Sequence, residues 1–176
     1  MVIPAIYGHG TMVDPLQRSS LWREYGTQDF QPNYNDNELF CGGVDTQWKV
    51  NNGLCGICGD AFNAEIKDNE AGGKYATGFI AKKYNQGQQI EVKVNLTAAH
   101  AGYFEFRICS HNDIYKSVSQ ECLDQNLLKL AGTQDTQYEP GFLNGQHKLQ
   151  LQLPKDLTCD QCVLQWHYRA GKCAFK

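Results

Sequence analysis

The chain has no run of 18 apolar residues, so it offers no transmembrane helix. It lacks a basic surplus: 16 Lys and Arg stand against 19 Asp and Glu, for a net charge of -3. Nucleic acid and anionic membrane are therefore excluded as main partners. It has no HExxH, no GxSxG, no P-loop and no GxGxxG, which removes the local signatures of zincins, α/β-hydrolases and nucleotide enzymes. No two histidines lie close in sequence, and no internal repeat or low-complexity segment occurs. A complete signal peptide is missing too: "MVIPAIYG" has no basic start and too short an apolar run.

What is present is one domain's length, 176 residues, enough to bury about 70% of the unfolded surface. Eight cysteines, an even number, favour disulfides and an oxidising compartment. Two C-x-x-C pairs, Cys55/Cys58 and Cys159/Cys162, allow zinc as the rival reading. About a hundred residues separate the pairs, whereas zinc ribbons space them by roughly 15–20, so disulfides are preferred. Asn95-Leu96-Thr97 is a glycosylation sequon and fits secretion.

Asp14-Pro15 reads as a helix start, with Asp as N-cap and Pro at the first helical position. The expected helix runs through "LQRSSLWREY" and stops at Gly26. From 27 to about 62 the chain is rich in Asn, Asp and Gly with three cysteines, a long loop region held by disulfides. Beyond it the period becomes two. Ile90, Val92, Val94 and Leu96 alternate with polar residues, as do Phe104, Phe106 and Ile108, then Leu149, Leu151 and Leu153. Cys162, Leu164, Trp166 and Tyr168 share one strand face, and Val163, Gln165 and His167 the other. Short alternating strands without a βαβ pattern predict a mainly β fold, an antiparallel β-sandwich with a short N-terminal helix. If 159–162 is extended, Cys159 and Cys162 lie about 10 Å apart on opposite faces and cannot pair with each other.

Of the five histidines, His100 stands in the gap between two strands, among Ala98, Ala99, Ala101 and Gly102, which leave an imidazole accessible. His111 and His147 read as solvated, and His167 as facing outward. His9 follows Gly8, a small residue of the kind that ends a cleaved leader. If cleavage occurs there, His9 offers its α-amine and ring Nδ1 to one metal, and a second imidazole completes three nitrogens, a set suited to Cu(II). With residues 1–8 attached the amine is an amide and that chelate is lost. Tyr34 and Trp48, in the long loop, could stack on a sugar ring or pack within the loop.

"HGTMVDPLQRSSLWR", "CGGVDTQWKVNNGLCGICGD", "TAAHAGYFEFRIC" and "CDQCVLQWHYRAG" stand in one order and together span most of the chain. They resemble the lytic polysaccharide monooxygenases of animals, which belong with the chitin-binding type-4 domains. The resemblance implies an immunoglobulin/fibronectin III-like sandwich and one copper ion in a histidine brace. It also implies oxidative cleavage of crystalline chitin or cellulose outside the cell, by a monomer fed by an external electron donor. By position His9 and His100 resemble the brace histidines. Ala98 matches the small residue on the axial face of copper, and Gln165 looks like the polar residue on its oxygen-binding side. After "HYRAG" the family continues to an axial Tyr or Phe, whereas here "KCAFK" follows and Phe175 comes too early to match. The expected organisation is a signal-peptide remnant at 1–8 and a domain at 9–176 without its C-terminal part. A non-catalytic chitin-binding protein and an inactive shortened form are the alternatives.

Overall fold

The computed structural model describes residues 8–171. Residues 1–7 of the expected signal-peptide remnant and the C-terminal Cys173 and Phe175 lie outside the described residues. Six strands form two antiparallel sheets: β1 (His9–Asp14), β2 (Gln89–Ala98), β3 (Tyr103–Ser110), β4 (Lys129–Leu130), β5 (Gly145–Gln152) and β6 (Cys162–Arg169). The larger sheet runs β1-β2-β5-β4 and the smaller pairs β3 with β6. This is the β-sandwich that the alternation predicts.

The inward residues of each strand make one core. Ile90, Val92, Val94 and Leu96 from β2 meet Met12, Leu149 and Leu151 in the larger sheet. Facing them are Phe104, Phe106 and Ile108 from β3, with Leu164, Trp166 and Tyr168 packed on from β6. Phe104 anchors the aromatic part edge-on to Trp166 and Tyr168, with centroids 5.3 and 4.9 Å away. The outer face of β3 and β6 is covered as well. Cys109 and Val163 pack there with Val118 and Leu123, against Ile57 of the long loop. Leu123 belongs to α2 (Gln120–Asp124), whose N-cap Ser119 accepts from the Cys122 N–H.

The expected helix at 15–25 is reduced to a 3₁₀ turn at Arg18–Ser20 and the single-turn α1 (Trp22–Tyr25). Asp14 is the last residue of β1 and not a helix cap. Its carboxylate reaches Lys82 Nζ at 2.6 Å and Lys93 Nζ at 3.2 Å. Partial burial raises the Asp14 pKa, but the hydrogen bonds and charges of the two lysines outweigh it and hold the group below its ordinary 3.8. A depressed carboxyl pKa contributes stability that is complete at neutral pH and is lost as pH falls through the folded value. Asp14→Asn is expected to lower stability by up to about 1 kcal/mol at pH 7. The difference should shrink as pH falls below the ordinary 3.8 and vanish once pH is below the depressed folded value. Urea midpoints of both forms across this pH range check this.

Among the described residues three disulfides join Cys41–Cys55, Cys109–Cys122 and Cys159–Cys162. The last shows that the condition under which Cys159 and Cys162 could not pair, an extended 159–162, is not met. The chain bends at Asp160 and Gln161, where Asn112 Oδ1 accepts both N–H groups, so the two Cα atoms stand 5.8 Å apart. Cys58 is the unpaired cysteine among the described residues, and burial pushes its thiol pKa up, leaving it protonated.

Candidate metal centre

His9 opens β1 and lies directly opposite Ala98, the last residue of β2. His100 follows two residues later, in the short gap before β3. The β1–β2 ladder therefore places the two histidines at the same end of the sandwich. Ala98 sits between them with only a methyl group. Gly102, which completes the turn into β3, has φ +76°, and a Cβ there would stand 2.0 Å from the Arg169 carbonyl, so the turn needs glycine.

The His100 backbone is held from β6. Its N–H donates to Tyr168 Oη at 2.8 Å, and that hydroxyl donates to the Ala101 carbonyl at 3.0 Å. The His100 carbonyl accepts from Gly171 N–H at 2.9 Å. From the other side, Asn144 Oδ1, just before β5, accepts the Ala99 N–H at 2.7 Å. The segment carrying His100 is thus gripped by both sheets.

His9 is held by the start of the long loop. Asp36, buried at 2% exposure, accepts from Ser20 Oγ and bidentately from Arg23. The Asn37 carbonyl accepts Gly10 N–H, and Asn37 Nδ2 donates to Thr97 Oγ1. Glu38 Oε1 then faces His9 Nε2 at 3.6 Å, an ion-pair spacing longer than a direct hydrogen bond. A carboxylate on that side favours the tautomer with the proton on Nε2 and leaves the Nδ1 lone pair for a metal. The Phe40 ring lies edge-on to the imidazole, with centroids 6.1 Å apart.

Among the described residues no three His, Cys, Asp or Glu side chains cluster as a metal site. A site of two imidazoles and one main-chain amine needs no third side chain. Its donors, all nitrogen, match copper better than magnesium, calcium or manganese. The two histidines fit such a group once His9 is the first residue and its main-chain nitrogen is an amine.

Gln165 is not brought to this end. It pairs with Arg107 in mid-strand, and its amide donates to the Ile57 carbonyl at 2.8 Å and to Gln120 Oε1 at 3.1 Å. Three residues, about 10 Å of strand, separate it from Tyr168. Its face of β6 is covered by the long loop and α2, which claim its amide. Tyr34 touches Trp22 ring to ring yet stays 75% exposed, and Trp48 stays 60% exposed. Asn95 lies within β2, half-buried, and not in a surface loop.

His147 is corrected from solvated to buried, at 7% exposure. Its Nε2 donates to the Leu143 carbonyl and its Nδ1 accepts from Tyr138 Oη. Glu38, Tyr168 and Asn144 support the histidines without any signal in the sequence. All three act across 29 or more residues of chain, where no local pattern signals a contact.

The model of the family described as lytic polysaccharide mono-oxygenase, cellulose-degrading, matches residues 9–176, beginning at His9 itself. The chain belongs to the lytic polysaccharide monooxygenase family. A solved lytic polysaccharide monooxygenase AA15 from Thermobia domestica, in the Cu(I) state, is 42% identical, with a TM-score of 0.88 over 93% of this chain and 84% of that one. A chitin binding domain from Burkholderia pseudomallei aligns over 93% of each chain at 15% identity and a TM-score of 0.48. No curated protein matches. Membership makes oxidative cleavage of polysaccharide the chemistry of this lytic polysaccharide monooxygenase domain.

Proposed function

We propose that the chain, with His9 as its first residue, cleaves crystalline chitin or cellulose outside the cell using one copper ion. The His9 amine and imidazole and the His100 imidazole would hold it. The observation that carries this is the strand register that sets His9 opposite Ala98, two residues from His100. Copper supplies one-electron redox chemistry toward an oxygen co-substrate, with an external donor as the source of electrons.

The protein's own residues do the positioning. Tyr168 and Gly171 fix the main chain at His100, so its imidazole starts from a defined point. Glu38 keeps the Nε2 side of His9 turned away from the metal side. The Ala98 methyl leaves room beside the brace and offers no competing donor. Gln165 takes no part at the metal: it ties Ile57 and Gln120 to β6.

The test uses the form that starts at His9, loaded with copper and given a reductant and powdered chitin or cellulose. Oxidised oligosaccharides in the mass spectrum are the expected result, lost in His100→Ala. Their absence with both polymers, while copper is bound one to one, would sink the catalytic reading.

A further inference from the structure

Beside His100 the structure leaves two large apolar side chains in water. Phe142 is 69% and Leu143 is 71% exposed. Other exposed hydrophobics exist, so exposure alone decides nothing. Two features set this pair apart.

The first is place. The segment 140–144 leads into β5, whose Gly145 lies opposite Leu96 of β2, one strand over from the His9–Ala98 pair. Asn144 is the residue whose side chain accepts the Ala99 N–H. The tip therefore flanks the histidines on the β5 side, as Glu38 and Phe40 flank them beyond β1.

The second is rigidity. The Leu143 carbonyl accepts at 2.8 Å from His147 Nε2, and Tyr138 Oη donates to the other ring nitrogen at 3.1 Å. His147 lies in the core with its ring edge-on to Phe104, centroids 5.9 Å apart. A buried side chain held by Tyr138 through one nitrogen and fixing the tip's main chain through the other reduces the ordering cost of anything that docks there. Two apolar side chains carried on an anchored main chain and left in water lower their free energy by covering a partner's apolar surface.

We propose that Phe142 and Leu143 form a substrate platform that rests on the apolar faces of sugar rings at the surface of a β-linked crystalline polysaccharide. This rests on the functional reading above and names how that substrate is gripped on the His100 side. A second copy of the chain is a poorer occupant, because two side chains fall far short of the roughly 800 Å² per partner that a stable dimer buries. A polymer face repeats the same ring, so a small rigid anchor finds a seat at every register.

Partition of the full chain onto powdered chitin and cellulose tests the proposal without copper or turnover. The Phe142→Ala/Leu143→Ala double variant should bind about ten-fold more weakly, the scale expected from losing two apolar side chains from an interface. Phe142→Tyr should bind like the parent, since a tyrosine ring offers the same face. Tyr115→Ala, an 85% exposed aromatic in the loop after β3 at the far end of the sandwich, should also bind like the parent. Unchanged melting temperatures establish that the variants fold. Equal binding by the parent and the double variant overturns the platform, as does an equal loss in Tyr115→Ala. A parent that binds neither polymer overturns the substrate reading itself, a different outcome from either.

Discussion

Protein that begins at His9 is expected to bind Cu(II) at least about a hundredfold more tightly than the chain carrying residues 1–8, since changes one shell further out already cost 10–100-fold. In the longer form the His9 nitrogen is an amide, which keeps its proton and donates no lone pair near neutral pH. In the shorter form it is an amine with an ordinary pKa near 7.7–8, so copper displaces a loosely held proton. The ring and the amine then close a chelate on one residue, and His100 supplies the third nitrogen. Competitive titration against a chelator of known strength measures the difference, and the EPR spectrum of the short form should be axial. His100→Ala in the short form should remove one nitrogen from that spectrum and most of the affinity. Equal affinity and equal spectra with and without residues 1–8 would refute the amine as a ligand.

Tyr168→Phe is expected to lower stability by about 1–2 kcal/mol and to weaken copper binding by the short form about ten-fold. The hydroxyl holds two backbone groups at once, the His100 N–H and the Ala101 carbonyl. Phenylalanine keeps the ring against Phe104 and Trp166, so the core stays filled. What is lost is confined to the His100 segment, which retains its tie to Gly171. The readouts are the urea midpoint with an unchanged slope, and faster hydrogen exchange at the His100 amide. An exchange rate equal to that of the parent would show that the hydroxyl does not hold the segment.

The strands were legible because their apolar residues repeat every second position. His100 was legible because it falls in the break between two such runs. His147 could have been read by the same rule: it shares the parity of Leu149 and Leu151 and so faces the core, yet its polarity suggested water. The helix after Pro15 failed for a competing reason, because strand β1 continues to Asp14 and the two lysines hold it there. The parity of Gln165 was read correctly as opposite to Trp166. What covers that face, the loop at Ile57 and α2, depends on contacts 108 and 45 residues away. Glu38 and Asn144 escaped notice on the same ground: nothing in a neighbouring residue announces a partner in another strand. The Cys159–Cys162 bond is excluded only if 159–162 is extended, and a bend set by Asn112, 48 and 49 residues away, removes that condition.

The tripeptide Asp36-Asn37-Glu38 reaches three different parts of the molecule in succession: the turns at Ser20 and Arg23, the paired strands at Gly10 and Thr97, and the His9 ring. With Phe40, whose ring lies edge-on to His9, it works as a clip that ties His9 to the body of the sandwich. Changes of length or sequence in the loop beyond Phe40 are then expected to leave His9 in place. A grafting experiment that keeps residues 36–40 and exchanges the remainder of the loop is expected to leave His9 and His100 where they are.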